Sequence, residues 1–461
     1  MPYEKQRVAI IGLGREGAAL AKFLARHGAK VSISDIKGEE ALRDRMDELT
    51  DLPISYLLAG HPEELLKSDV IFVSPGVPKE IPILVEARRR GIPLSSETRL
   101  FFSLCRAPII GITGSSGKTT TTSLVGEIMQ AEGYRTFVGG NIGSPLITFV
   151  EEIEQQDKVV MELSSFQLEV LGQSPHIAAI LNLSPNHLDR HQSMDDYVAA
   201  KVNILRFQGK NDYAVLNADQ QLTRELTRYC PGQVLFFSRE RELGEGAFLS
   251  QGEITVRWEG KGRKVCHASE IQLLGSHNLD NVLAACAIAT VAGAQVEAMA
   301  NVVTSFSGVE HRLELVEQIG GIRYYDDSIA TSPDRTMAAL NSFVEPVILL
   351  AGGREKHLPL EGLAKLMVRK VKSLILFGEA APLLEQAVLN AQSEVTEGDE
   401  VPIYRSWNLI EAVGIAAQIS QAGDIVLLSP ACTSFDMYRD FAERGEHFKA
   451  LVRGLRTSQE R

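Results

Sequence analysis

The chain has 461 residues, a net charge of −12 and a hydrophobic content of 44%. That length exceeds one ordinary core and suggests three domains, and the acidic balance argues against nucleic acid or a membrane surface as a general partner. Cysteines at 105, 230, 266, 286 and 432 are odd in number and lack Cys-x-x-Cys spacing, so a reducing compartment and no structural zinc are expected. No apolar run approaches the roughly 20 residues of a membrane span. The polar start of the chain leaves no room for a signal peptide, so a cytoplasmic protein without membrane insertion is expected.

Strand-like runs alternate with helical stretches, the pattern of an α/β fold. Residues 8–11 read as a first strand, 16–27 as a helix, 30–34 as a second strand and 70–73 as a later one before the turn Ser74-Pro75-Gly76. A polar stretch at 95–99 closes this Rossmann-like N-terminal domain, residues 1–98. Gly12-Leu-Gly14-Arg-Glu-Gly17 follows the first strand and Asp35 ends the second, roughly 20 residues on, as in a dinucleotide fingerprint. The physics demands only a diphosphate at a helix N-terminus. NAD and a UDP-sugar both satisfy it, and so does a glycine turn that merely lets helix and strand pack closely.

The most specific segment opens the next domain, residues 99–308. Residues 111–120 read Gly-Ile-Thr-Gly-Ser-Ser-Gly-Lys-Thr-Thr, between an apolar strand (107–112) and a helix that opens at Lys118. Gly114 and Gly117 let backbone N–H groups converge on one anion. The helix N-terminus adds partial positive charge, Lys118 adds a full one, and the Thr119 hydroxyl is placed for Mg²⁺. This is a grip for a nucleoside triphosphate. Ile112 stands where the general pattern has glycine, so the loop is a shortened one. A bare strand-to-helix turn is the simpler account, and Gly-Lys-Thr in this context outweighs it.

Further strands are expected at 158–163 and 177–181, and helices near 119–131, 194–207 and 278–292, giving a P-loop domain with a mostly parallel sheet. The polar residues 239–268 read as hairpins or a loop insertion. Glu162 ends a buried-looking strand, where an acid is well placed to ligate Mg²⁺ beside a triphosphate; a capping or surface role is the alternative. Asn182-Leu-Ser-Pro-Asn-His187-Leu-Asp189 follows another apolar strand and offers a metal ligand or a proton-handling histidine. Lys201, taken alone, reads as a solvated lysine. The C-terminal Rossmann-like α/β domain, residues 309–461, has strands at 346–351, 373–377 and 424–428 and a last helix from about 435.

The motifs at 113–120, 162–168, 182–189, Gly275-Ser-His-Asn278-Leu-Asp-Asn281 and His311-Arg312 occur in this order in the Mur ligases, which the chain resembles over essentially its whole length. These are ATP-dependent amide-forming enzymes of peptidoglycan precursor synthesis. Gly140-Asn-Ile-Gly143, 162–168 and 428–436 are similar to the branch that adds D-glutamate to UDP-N-acetylmuramoyl-L-alanine. The resemblance implies that Gly114, Ser115, Ser116, Gly117, Lys118, Thr119 and Thr120 hold ATP, and that Asn278, Asn281, Arg312, Asp326 and Asp327 contact the nucleotide. Thr119, Glu162, His187 and Lys201 would gather Mg²⁺, two ions by the family pattern, with Lys201 carbamylated by CO₂. Lys118, His187 and Lys201 would be catalytic. Gly14, Arg15, Glu16, Ser34, Asp35, Lys37, Ser74 and Gly76 would hold the UDP moiety and Asn141 would face the substrate. Thr331, Lys356, Ser434, Phe435 and Phe441 would line the D-glutamate pocket. A monomer is expected, as no heptad pattern is present.

Four positions depart from the family pattern. Ile329 replaces a lysine, for which Arg335, Arg354 or Lys356 could substitute. Asn186 replaces an aspartate, and Ser115-Ser116 replaces the usual Thr-Asn. The competing readings are a folylpolyglutamate-type ligase, a NAD-dependent oxidoreductase and a non-enzymatic nucleotide switch. The first conflicts with the glycine turn at 12–17, and the second leaves the P-loop, Glu162 and His187 unexplained.

Overall fold

The computed structural model describes residues 3–184, 193–273, 275–355, 358–393 and 400–459, with the backbone alone at 457–459. The chain forms two compact units. One comprises Met1–Gln272 and Ser276–Phe306, the other Leu273–Gly275 and Ser307–Arg461.

The first unit carries two sheets. Strands β1 (Arg7–Ile11), β2 (Lys30–Ser34), β3 (Ile54–Leu57), β4 (Val70–Val73) and β5 (Leu94–Ser95) are all parallel, in the order β3-β2-β1-β4-β5. Val8 to Ile11 are buried without alternation because both faces of a parallel sheet are covered. Helix Arg15–Arg26 supplies one cover and buries Ala18, Leu20, Ala21 and Leu24. The stretch near 95–99 does more than close a domain. Ser96 accepts the Arg99 N–H and caps helix Glu97–Leu104, which takes Glu97 into the interior.

The second sheet has nine strands: β6 (Ile109–Thr113), β7 (Thr136–Gly140), β8 (Lys158–Glu162), β9 (Ile177–Ile180), β10 (Tyr213–Asn217), β11 (Gln233–Ser238), β12 (Gly246–Ser250), β13 (Glu253–Trp258) and β14 (Lys261–His267). Their order is β14-β13-β12-β11-β10-β9-β6-β8-β7. The region at 239–268 is therefore an antiparallel extension of the sheet, β12-β13-β14, whose far edge is polar. The P-loop strand β6 lies between β8 and β9, so the ends that carry Glu162 and the run toward Asn182 flank the loop. Helix Ser276–Ala292 is buried from Asn281 to Ala289. Its run of small residues packs on the P-loop helix Lys118–Ala131 and on β10 to β12.

The second unit has one sheet, with β15 (Glu314–Ile319), β16 (Ile322–Asp326), β17 (Val347–Gly352), β18 (Val371–Phe377), β19 (Ile403–Arg405) and β20 (Ile425–Ala431) in the order β15-β16-β20-β17-β18-β19. All pairs are parallel except the β15–β16 hairpin. The last helix, Phe441–Gln459, begins later than the sequence suggests. The Ser434 carbonyl takes the N–H groups of Met437 and Tyr438 in a turn, and the Asp440 carboxylate accepts the Glu443 N–H and caps the helix there.

Candidate functional site: a buried cation–carboxylate cluster at the P-loop

β6 ends at Thr113, and the chain turns through Gly114–Gly117 into helix Lys118–Ala131. Gly117 stands at φ 78°, and a β-carbon there would collide with the Asn281 side-chain oxygen, so any other residue is strained at this position. Asn182 fixes the loop. Its side-chain oxygen accepts the Ser116 N–H (2.9 Å) and hydroxyl (3.2 Å), and its amide donates to the Ser116 carbonyl (3.1 Å). Ser115 donates to the Ser184 carbonyl (3.0 Å), and its hydroxyl lies 3.0 Å from the Tyr197 hydroxyl. The two serines that depart from the family pattern are thus bonded into the loop wall. Thr120 is buried one position beyond Thr119. Asn281 donates to Asn278 (2.9 Å), which places both asparagines in the first turns of helix Ser276–Ala292.

Three charged groups meet here. Lys118 Nζ donates to the carbonyls of Gly114 (2.9 Å) and Ser115 (3.4 Å), so its charge is held over the loop. Glu162 is 2% exposed and forms no ion pair among the described residues. One of its oxygens accepts the Thr119 hydroxyl and the other the Asn141 amide, each at 2.8 Å. A buried carboxylate next to a hydroxyl is a set of hard oxygen donors. A divalent cation such as Mg²⁺ fits it and would offset the cost of burying the charge.

Lys201 is a correction to the sequence reading: it is buried, not solvated. Ser193 accepts the Asp196 N–H and starts helix Met194–Arg206, which carries the lysine inward. Its Nζ donates to the Thr113 hydroxyl and the Gly114 carbonyl, both at 3.1 Å, and lies 4.8 Å from the Tyr197 ring centre. Burial pushes its pKa well below the usual lysine value. The Lys118 charge adds to this and Glu162 opposes it. A neutral amine is the form that attacks CO₂, so the residue fits the carbamate its family position implies. His187 lies outside the described residues.

At the carboxyl ends of β1, β2 and β4 the glycine turn has its expected shape, with Gly12 at φ 99°. Asp35 accepts the N–H of Leu13 (2.8 Å) and of Lys37 (2.9 Å), one on each oxygen, and so ties the turn to the end of β2. Ser34 is wholly buried; it donates to the Gly60 carbonyl and meets His61 Nδ1, each at 2.8 Å. Ser74 donates to the Gly12 carbonyl (3.0 Å). Gly14, Arg15, Lys37 and Gly76 are exposed around the turn. Glu16 instead takes a hydrogen bond from Gln167 (3.0 Å), and burial pushes its pKa up to about 7. Glu97, which accepts the Ile147 N–H (3.3 Å), is raised to about 8 by burial and by the Glu16 charge. His61 and Glu97 belong to no local motif, so nothing near them in the chain marks these contacts.

In the second unit Asp326 is fully buried, accepting from His311 Nδ1 (2.7 Å) and the Ser328 N–H (2.9 Å). Asp327 accepts the Ser429 hydroxyl (2.7 Å) and the Leu313 N–H (3.3 Å). Burial lifts its pKa to about 7 against the pull of Ser429 and Arg312. His311, Glu314 and Asp326 form a compact donor cluster. The Lys449 ammonium, 3.2 Å from Glu314, already supplies a cation to its Glu314 side. Ile329 is half-buried; its N–H donates to the His311 carbonyl and its carbonyl accepts from Arg335 (3.0 Å). The Thr331 N–H donates to that same carbonyl. Arg354 forms a bidentate pair with Glu379 (2.9 and 3.0 Å). Ser434 is buried, Phe435 is exposed, and the Phe441 ring stands edge-on to His311 at 6.1 Å. Lys356 lies outside the described residues. Arg444, wholly buried among these loops, belongs to no sequence motif used above.

Comparison with known proteins adds an independent line. Residues 6–96 match the family model for the Mur ligase MurD-like N-terminal domain, 112–289 that for the Mur ligase middle domain, and 311–432 that for the Mur ligase glutamate ligase domain. The chain is 46% identical over 454 residues to the UDP-N-acetylmuramoylalanine–D-glutamate ligase of Symbiobacterium thermophilum, covering 98% of each chain. It is 42% identical to the protein of that name from Acetivibrio thermocellus, covering 98% of this chain and 97% of the relative. Among solved structures, the UDP-N-acetylmuramate-alanine ligase of Thermotoga maritima aligns with a TM-score of 0.58 at 20% identity, over 98% of this chain and 100% of that one. MurF of Acinetobacter baumannii aligns with a TM-score of 0.58 at 17% identity, over 97% and 93%. These two structures share the fold.

Proposed function

The chain belongs to the Mur ligase family, and we propose that it joins D-glutamate to UDP-N-acetylmuramoyl-L-alanine with the hydrolysis of ATP to ADP and phosphate. The observation that carries this reading is the likeness, over nearly the full length of both chains, to ligases of that name. The P-loop cluster supports the ATP-dependent step. In the proposed division of labour, residues 1–98 hold the UDP-substrate, 99–308 hold ATP, and 309–461 present the amino acid. The chain acts as a monomer in the cytoplasm.

A carboxylate is a poor electrophile, so the alanyl carboxylate first takes the γ-phosphoryl group and ADP leaves. The D-glutamate amine then attacks the acyl phosphate, loses a proton and expels phosphate as the amide forms. Carboxylate and triphosphate repel each other. Lys118, the loop N–H groups and the helix N-terminus lower that repulsion and hold the terminal phosphate in line. Thr119 and Glu162 would hold Mg²⁺, with His187 and carbamylated Lys201 serving a second ion. The metal, when bound, supplies charge neutralisation on the phosphoryl oxygens. Asn141, already bonded to Glu162, would face the substrate and orient the incoming carboxylate. Ser434, Lys356, Thr331 and the 435–441 turn would receive the two carboxylates of D-glutamate.

The test is ADP release with ATP, Mg²⁺ and UDP-N-acetylmuramoyl-L-alanine, comparing D-glutamate with L-glutamate, glycine and no amino acid. Release that needs both the UDP-substrate and D-glutamate is expected. Release with a different amino acid would move the specificity and implicate Ile329. ATP binding with no substrate-dependent release would leave a nucleotide switch.

A further inference from the structure

Arg444 heads the set of large, fully buried side chains, and it forms no ion pair among the described residues. A guanidinium is rarely buried without a carboxylate, because its five N–H donors and its charge must be met some other way. Here the hydrogen bonds go to uncharged acceptors on three separate loops, and the Asp436 and Asp326 charges favour the guanidinium without bonding to it. Nε donates to the Ser328 hydroxyl (3.0 Å) and Nη2 to the Ser328 carbonyl (2.9 Å). Nη2 also reaches the Cys432 carbonyl (3.3 Å), and Nη1 the Gly352 carbonyl (3.5 Å). Ser328 passes the link on, its hydroxyl donating to the Phe441 carbonyl (2.7 Å) at the start of the helix that carries Arg444. Gly353 leaves room for the guanidinium: a β-carbon there would lie 3.1 Å from Nη1 and would also run into the Thr433 carbonyl.

These loops leave the carboxyl ends of β16, β17 and β20, the edge at which parallel sheets take their ligands. Two lead within three residues to a described group assigned above to the amino-acid pocket, Ser328 to Thr331 and Cys432 to Ser434, and the third, through Gly352 and Gly353, reaches Arg354, whose N–H and carbonyl bond the Thr433 backbone beside Ser434. We propose that Arg444 is a positioning residue, a planar fork that holds the three pocket loops in register and so sets affinity for the acidic amino acid. The fork shape matters as much as the charge. A lysine brings one point donor and cannot span three loops in a plane.

The inference rests on the ligase reading above, so the test has one arm that needs turnover and one that does not. For Arg444→Lys, the KM for D-glutamate rises about tenfold or more, while the KM for UDP-N-acetylmuramoyl-L-alanine, held by the first unit, stays within about twofold. Acyl phosphate formed without amino acid, trapped by hydroxylamine, stays near the wild-type level. An unchanged D-glutamate KM in the folded variant overturns the proposal. Should Arg444→Lys fail to fold, Ser328→Ala removes the Nε acceptor together with the hydroxyl's bond to the Phe441 carbonyl, leaves the Ser328 carbonyl on Nη2, and raises the same KM by about threefold; no change there also overturns it. The second arm is hydrogen exchange on the ligand-free protein. In Arg444→Lys, or in Ser328→Ala, amide protection falls together at 326–331, 352–355 and 431–435. Loss confined to the start of the last helix overturns the role even if the wild-type protein proves not to use D-glutamate.

Discussion

The P-loop cluster and the β16–β17–β20 edge of the second unit both bury charge, and they neutralise it differently. At the P-loop, Lys118, Lys201 and Glu162 come close without forming a direct ion pair. Lys201 gives up affinity for its proton, and Glu162 is left with a hydroxyl and an amide. At the second edge Arg444 is met by carbonyls and a hydroxyl and Asp326 by His311 and a backbone N–H, while burial pushes Asp327 toward its neutral form despite Ser429 and a backbone N–H. The first arrangement gathers two lysines and a carboxylate at a glycine turn, the donor set that a polyanion and its metal require. The second is spent on holding loops in place. A site that binds by charge and a site that binds by shape can thus be told apart by where the compensation lies.

Removing charge from the first region should be the more damaging change. Lys118→Ala is expected to lower UDP-substrate-dependent ADP release by about 10³-fold or more, with an unchanged unfolding transition, since its ammonium bonds the carbonyls of its own loop. Retained turnover would remove the P-loop from the chemistry. Glu162→Gln keeps the shape and loses the charge. Its activity should fall about 10²-fold and require more Mg²⁺ for half-saturation, which a Mg²⁺ titration reads directly. An unaltered Mg²⁺ requirement would break the contrast drawn here.

Gly117→Ala tests sterics in place of charge. The left-handed backbone and the Asn281 contact together predict a loss of about 1–3 kcal/mol in denaturant unfolding. Asn281→Ala should recover part of it, because the collision and not only the φ angle is responsible.

The smallest effect is a slope. Asp327 in the second unit and Glu97 in the first both have folded pKa values above those of ordinary carboxyls, about 7 and about 8. Between the unfolded value and the folded one, the folded protein holds more protons. Stability therefore falls as pH rises through that window, from near 4 to near 7 for Asp327 and near 8 for Glu97. Asp327→Asn and Glu97→Gln should each flatten the decline in unfolding midpoint between pH 5 and 8. A slope equal to wild type in either variant would mean that the acid is ionised and compensated in the fold.

Legibility followed contiguity. Gly114 to Thr119 sit side by side in the chain, and the strand–loop–helix order fixes what they can hold. Glu162 and Asn182 were legible because each follows an apolar run that ends at the same sheet edge. Lys201 was misread from its local sequence, since a lysine between alanines and a valine on a helix carries no mark of the face it will occupy. Asp35 was placed at the UDP moiety because it ends a strand, and the structure adds a second task, since its two oxygens accept N–H groups of the adjoining turns. Arg444 sits in a stretch rich in Arg and Glu that reads as a solvated helix face.

The sequence by itself determined the α/β alternation, the two glycine turns and the triphosphate grip, because each depends on residues within one turn or one strand of each other. The tertiary structure alone decided which charges are buried and by what they are compensated. Burial, and the pKa changes and loop restraints that come with it, depends on partners 80 to 120 positions away, as with Lys201 and Thr113 or Arg444 and Ser328. No local pattern encodes that distance; only the packing of sheets and helices closes it.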